Sequence, residues 1–172
     1  FYSVVSDGTP ESNRSAFFAI GTFMALWIVF YGTIQINAPK ILQAVKRGHK
    51  ALLEDAWRWA AWLALVPLIL AIWMHLDRVT NPIFISGVVI GLLIFGGIFA
   101  VNSSLHSYLI LAFTKNDRVT MDVGFYYMSN ATGRLIGTLL SGVTYQIGGA
   151  SFCLAISSLM ILISAYCARR LQ

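Results

Sequence analysis

Five long blocks of this chain carry almost no charge, and they constrain its fold more than any other feature. They run from about Ser15 to Ala38, Trp59 to Met74, Pro82 to Phe113, Val123 to Gln146 and Ala150 to Ala168. An uncharged apolar run of about 18 residues or more is long enough to cross a bilayer as a helix. Lipid offers no partner to backbone N–H and C=O groups, so only helices and closed barrels can span it. Barrel strands would be about 10 residues long and alternate in polarity, whereas these blocks are continuously apolar. Composition agrees: 58% of the 172 residues are hydrophobic and 11% charged, against about a quarter charged in a soluble domain. The expectation is an all-α, multi-pass membrane bundle with spans over about 15–38, 57–75, 82–108, 123–146 and 150–168. The third block outruns a hydrocarbon core of roughly 30 Å, so we read it as a tilted span continuing into the interface. The chain opens "FYSVVSDGTPESNRS" without a methionine. Phe1 and Tyr2 resemble the end of an earlier span, which implies a fragment of a larger protein.

Orientation follows from the cations. Lys and Arg concentrate on the cytoplasmic side of membrane proteins. Lys40, Lys46, Arg47, Lys50 and Arg58 lie between the first two spans, Lys115 and Arg118 between the third and fourth, and Arg169 and Arg170 at the end. Alternating spans put all nine on one side and leave Arg14 and Arg78 on the other. The C-terminus is therefore expected in the cytoplasm and the protein in the inner (plasma) membrane. The net charge of +5 reflects this asymmetry and gives no reason to expect nucleic acid as a partner. The stretch "APKILQAVKRGHKALLEDAW" has Ile41, Leu42, Val45, Leu52 and Leu53 at helical spacing. It reads first as a basic connecting loop and second as an interfacial amphipathic helix. The remaining connections are short, which favours antiparallel sequential neighbours.

Polar side chains concentrate in the first, third and fourth spans. On a helical wheel of the fourth, Tyr126, Asn130, Gly133, Arg134, Gly137, Ser141 and Thr144 share one face, and Met128, Leu135, Ile136, Leu139 and Val143 the other. Polar groups at membrane depth normally face the bundle interior or a water-filled cavity. Gly133, Gly137 and Ser141 form a small-xxx-small pattern, read as tight helix packing, as are Gly87 and Gly91. Arg134 needs another account, since insertion scales make a central Arg unfavourable by about 2.5–3.5 kcal/mol. All seven acids lie in loops or at span ends, and Asp122 on the same helix is about 18 Å away. Three readings follow: an acid in a missing part, a tie to backbone carbonyls, or an aqueous cavity where Arg134 binds an anion through its planar fork of donors. His106, with Asn102 four residues before it, lies on the polar stripe "NSSLHSY". Proton relay is conceivable there, but the interface position favours a structural histidine. Pro67 is expected to kink the second span, and the serines of the fifth to bond their own helix. Cys153 and Cys167 read as small hydrophobes. No HExxH, GxSxG, Walker or CxxC pattern is present and the histidines are scattered, so no metal, cofactor or enzymatic activity is expected.

The division into polar and lipid-facing spans resembles the second half of a major facilitator superfamily transporter. The spans would then be helices eight to twelve of about twelve, with the least polar, the second and fifth here, as the peripheral ninth and twelfth. "KRGHK" would occupy the superfamily's cytoplasmic-loop signature in degenerate form. More narrowly, "YGTIQINAPKIL", "VNSSLHSYLILAF" and "DVGFYYMSNATGRLIGTLLSGVTYQ" resemble the organoarsenical efflux permease (ArsJ-type) family across essentially the whole chain. That resemblance implies efflux of 1-arseno-3-phosphoglycerate, a small polyanion, and hence arsenic resistance. The partners it implies are the anionic solute, the lipid bilayer and the missing N-terminal half. On our own reading of the residues, Arg134 would bind the oxyanion. Asn130, Tyr126 and Tyr127 would shape the pocket, and Asn102 and His106 would face it. A carrier of another small solute (sugar phosphate, carboxylate or drug) and a non-transporting membrane module are the alternatives.

Overall fold

A computed structural model describes residues 9–42, 49–76, 82–114 and 118–170. These residues form four helices: α1 (Pro10–Leu42), α2 (His49–Leu76), α3 (Pro82–Phe113) and α4 (Val119–Arg170). Among the described residues there is no strand. All four helices are long and apolar enough to cross a membrane, as the uncharged blocks require.

The helix ends follow local chemistry. Thr9 caps α1, its hydroxyl accepting from the Ser12 amide at 3.3 Å, while Pro10 fills the first position, where its missing N–H is not needed. Glu11 in the first turn and Lys40 in the last suit the helix dipole, as do Asp122 and Arg169–Arg170 in α4. Pro39 and Pro67 lie inside α1 and α2, which continue through them. Most of the "APKILQAVKRGHKALLEDAW" stretch belongs to these two helices, with residues 43–48 outside the described set. Two of its apolar residues, Leu42 and Leu52, are core residues, clustered with Ala56, Val101, Leu105 and Leu109. The helical spacing there comes from the bundle helices themselves and not from a separate interfacial helix.

The fourth and fifth apolar blocks are the two arms of α4. Gly149 breaks the helix with φ 70° and ψ −163°, a region open essentially to glycine alone. The chain doubles back there: the Ser141 Oγ and Cys153 Sγ atoms are 3.4 Å apart, whereas twelve residues of straight helix would span about 18 Å. Gly148 is needed for a different reason. A Cβ on it would lie 2.5 Å from the Phe152 Cβ.

Side-chain contacts give the directions. Leu70 packs on Gly91 and Leu52 near Leu105, so α2 and α3 are antiparallel. Trp27 packs on Gly96 and Leu42 near Leu105, so α1 and α3 are parallel. Arg169 lies over Trp57, and the buried Ser158 hydroxyl donates to the Ala64 carbonyl at 2.8 Å. The second arm of α4 therefore runs antiparallel to α2. That Ser158 bond ties two helices, where the sequence suggested serines bonding within their own helix. Ser157 does so, donating to the Cys153 carbonyl at 2.9 Å. Among the described residues the backbone of α1 approaches only α3, and α3 meets α4 only lightly, so the short 114–118 connection does not make close neighbours of the helices it joins. Lys40, Arg58, Arg118, Arg169 and Arg170 gather at one end of this bundle and Arg14 lies at the other. Lys46, Arg47, Arg78 and Lys115 fall outside the described residues.

Gly149→Ala should therefore destabilise the α4 hairpin by about 1–3 kcal/mol. Denaturant unfolding in detergent, followed by circular dichroism, measures this. An unchanged midpoint would show that the turn tolerates a side chain.

Candidate functional site

The first arm of α4 is where polarity and depth coincide. Arg134 sits near its middle, roughly 20 Å from either end. Tyr126, Asn130 and Arg134 follow one another at intervals of four, forming a ridge one turn apart along the helix. Asn130 and Arg134 are exposed on the isolated chain and Tyr126 is half-buried. Tyr127 is 65% exposed and stands about 100° round the helix from Tyr126 but, seven residues before Arg134, within about 20° of that arginine, so it borders the ridge two turns below the guanidinium.

The threonines around Arg134 are satisfied internally. Thr132 donates to the Met128 carbonyl at 2.9 Å and Thr138 to the Arg134 carbonyl at 2.8 Å. Such back-bonding removes a hydroxyl's cost in an apolar medium. The Arg134 guanidinium has no comparable solution. Among the described residues it makes no hydrogen bond, ion pair or ring contact, and neither does the Asn130 side chain.

On α3, His106 Nδ1 lies 2.8 Å from the Asn102 carbonyl oxygen. A carbonyl only accepts, so Nδ1 is the donor in this contact. This supports the structural reading of His106. The Asn102 Oδ1 atom is buried with no hydrogen-bond partner among the described residues, and a buried polar atom of this kind marks a place where a missing group would fit. The polar stripe of α3 reaches α4 through Ser107, whose hydroxyl lies 3.3 Å from that of Tyr126. Tyr126 also lines a cavity of about 450 Å³ with Asp122 and Ser129. Tyr126 thus joins the two polar stripes near the start of α4, while Arg134 stands two turns further along.

Two findings lie beyond the sequence reading. First, Gly133 and Gly137 are not packed against a helix: a Cβ on either would meet nothing within 4 Å. They border a groove of about 430 Å³ with Ser141, Thr144, Cys153 and Phe99. The small-xxx-small pattern permits close approach, but here no described helix makes it. Gly91 behaves as expected, since a Cβ there would lie 2.8 Å from a Leu70 methyl, and Gly87 is covered by Trp73. Second, Asp55, placed by sequence at a span end, is only 8% exposed. It shares a cavity with Arg58, Trp59 and Trp62. Its position seven residues into α2, on the same face as core residues Leu52 and Ala56, was the available signal. Among the described residues no three His, Cys, Asp or Glu side chains cluster.

Compared with models of known families, with curated proteins and with solved structures, the chain has no match.

The two glycine environments make opposite predictions. Gly91→Leu should lower stability by about 1–3 kcal/mol through overpacking, whereas Gly137→Ala should leave it within about 0.5 kcal/mol. Thermal unfolding of the purified variants measures both, and equal effects would contradict the groove.

Proposed function

We propose that this chain is the C-terminal part of a secondary transporter of the major facilitator type, exporting an anionic organoarsenical, 1-arseno-3-phosphoglycerate, by alternating access. The observation that carries the reading is Arg134: a guanidinium at mid-helix depth, in an apolar helix, without a partner among the described residues. A cationic fork of this kind suits phosphate-like and carboxylate oxygens, which it can hold by two parallel hydrogen bonds. Asn130 and Tyr126 extend the donor set along the same ridge, and Tyr127, two turns before Arg134 on nearly the same line, would border it. Asn102 and His106 supply polar groups from α3, the Asn102 Oδ1 atom as an acceptor awaiting a donor.

The exposed apolar faces of α1 and of the first arm of α4, including Phe17, Ile28, Leu135 and Leu139, fit contact with lipid and with further helices of a larger bundle. The gathering of basic residues at one end supports a cytoplasmic C-terminus by the positive-inside rule, and an exporter of this kind would belong in the inner (plasma) membrane. The same arginine would equally serve a carrier of a sugar phosphate or another carboxylate, so substrate identity rests on the resemblance of the three quoted stretches.

Transport by the full-length protein in vesicles decides between these. Uptake of arsenylated phosphoglycerate into inverted vesicles is expected, and its absence alongside uptake of a sugar phosphate would establish the second reading. Arg134→Ala should weaken apparent substrate affinity roughly thirty-fold or more, the effect of losing a buried charged contact worth about 2 kcal/mol, with Arg134→Lys intermediate. Normal affinity in Arg134→Ala protein would remove the anion site while leaving transport itself standing.

A further inference from the structure

The basic end of the bundle carries a patch in which aromatic rings hold arginines. Arg58, near the start of α2, and Arg169, at the end of α4, both lie over the Trp57 indole, 5.7 and 5.4 Å from its centroid. Arg170 lies 5.1 Å over the Tyr166 ring and donates to that hydroxyl. Against these three cations stand Glu54, 3.5 Å from Arg58 in an exposed pair worth little in that setting, and the buried Asp55 in the cavity that Arg58 borders. The patch is therefore net positive. Its two leading charges are drawn to one ring although they repel each other.

Arg169 is the informative member. Among the described residues it makes no hydrogen bond and no ion pair, yet the indole fixes its position. A guanidinium has five N–H donors, and among the described residues none of those of Arg169 is used in a hydrogen bond, so they stand available to an acceptor. An anion bound there would also relieve the repulsion between Arg58 and Arg169.

What lies beside the arginines identifies the anion. Arg58 also borders a cavity of about 410 Å³ lined by Asp55, Trp59, Trp62 and Ile98, and Trp62 is 63% exposed. A charged rim thus adjoins a groove whose outer wall is tryptophan and isoleucine, with the exposed Trp62 at its mouth. Tryptophan and tyrosine collect at the level of lipid headgroups, and basic pockets between helices hold phosphorylated headgroups. The buried Asp55 carboxylate disfavours an anion inside the cavity, which keeps a phosphate at the arginine rim.

We propose that Arg58 and Arg169, held over Trp57 and supported by Arg170, bind the headgroup of an anionic phospholipid whose acyl chain lies along Trp59, Trp62 and Ile98. The site requires only that these helices span a bilayer and is independent of what the protein transports.

Native mass spectrometry of the full-length protein, offered equimolar phosphatidylglycerol and phosphatidylcholine, tests this. Wild-type protein should retain phosphatidylglycerol preferentially. Arg58→Gln and Arg169→Gln should each weaken that retention about fivefold, the effect of one cation near an anionic surface, while phosphatidylcholine retention stays the same. Arg14→Gln, at the opposite end, should change neither. No preference in wild-type protein, unchanged preference in both variants, or an equal loss in Arg14→Gln would overturn the proposal. Should the variants fail to purify as monodisperse protein, wild-type tryptophan fluorescence supplies the answer. Brominated phosphatidylglycerol should quench it more than brominated phosphatidylcholine, and equal quenching overturns the site.

Discussion

Helices in lipid gain almost nothing by burying apolar surface against one another, because the surrounding chains are as apolar as leucine; close contact and a few hydrogen bonds must hold them. In this protein that constraint falls on α3. Its glycines form notches on two sides of one helix. Gly87 and Gly91 receive Trp73 and Leu70 of α2, and Gly96 and Gly97 receive Trp27 and Ile34 of α1. Two of the four intruding groups are tryptophans, which gain large contact areas where the opposing residue has no side chain. Trp27 also donates its indole N–H to the Leu92 carbonyl at 3.1 Å, so the notch accommodates a hydrogen bond as well as a ring. Among the described residues the backbone of α1 approaches only α3, so its place in the bundle rests on those notches together with Leu42 in the shared core.

The first arm of α4 obeys the opposite logic. Its glycines face open space, its threonines bond their own backbone, and its large side chains are mostly exposed. It is held mainly through the second arm, which docks on α2 by the Ser158–Ala64 bond and the Arg169–Trp57 contact. A helix fixed by its hairpin partner, with Asn130 and Arg134 of its polar ridge left uncovered beyond the Tyr126–Ser107 contact, can present them to something other than the α1–α3 core. Gly149 makes this arrangement possible, since without the reversal the second arm could not lie along α2.

Much of this architecture is legible in the sequence, because apolar length and uncharged continuity report directly on the solvent a helix sees. The blocks, the break between Gln146 and Ala150 and the gathering of Lys40, Arg58, Arg118, Arg169 and Arg170 at one end all follow from that. What could not be read were the pairings. Gly87 and Gly133 look alike in sequence, each small and each followed by another glycine four residues on. Only the position of Trp73 makes one a packing site, and only its absence leaves the other on a groove. The burial of Asp55 is of the same kind, since a carboxylate seven residues into a helix is solvated or enclosed according to where α3 happens to lie. Likewise, the wheel of α4 groups Tyr126, Asn130 and Arg134 correctly but cannot say that Ser107 is the α3 side chain that Tyr126 meets.

The arginines bring these threads together. Arg14, Arg58, Arg169 and Arg170 all lie near helix ends, and each rests against an aromatic ring from its own helix or the neighbouring one. Stacking lets a cation keep its stem in apolar surroundings and its donors toward water or headgroups. Arg134 lacks both a ring and a nearby interface. Its side chain is too short to reach either end of a helical arm roughly 20 Å away on each side, so snorkelling cannot solve its solvation. The charge must be met at depth by whatever covers the ridge of Tyr126 and Asn130, either a helix bearing an acid or a water-filled cavity admitting an anion. The groove beside Gly133 and Gly137 leaves that face open to either, because glycines without a described neighbour admit a close-packed helix as readily as water.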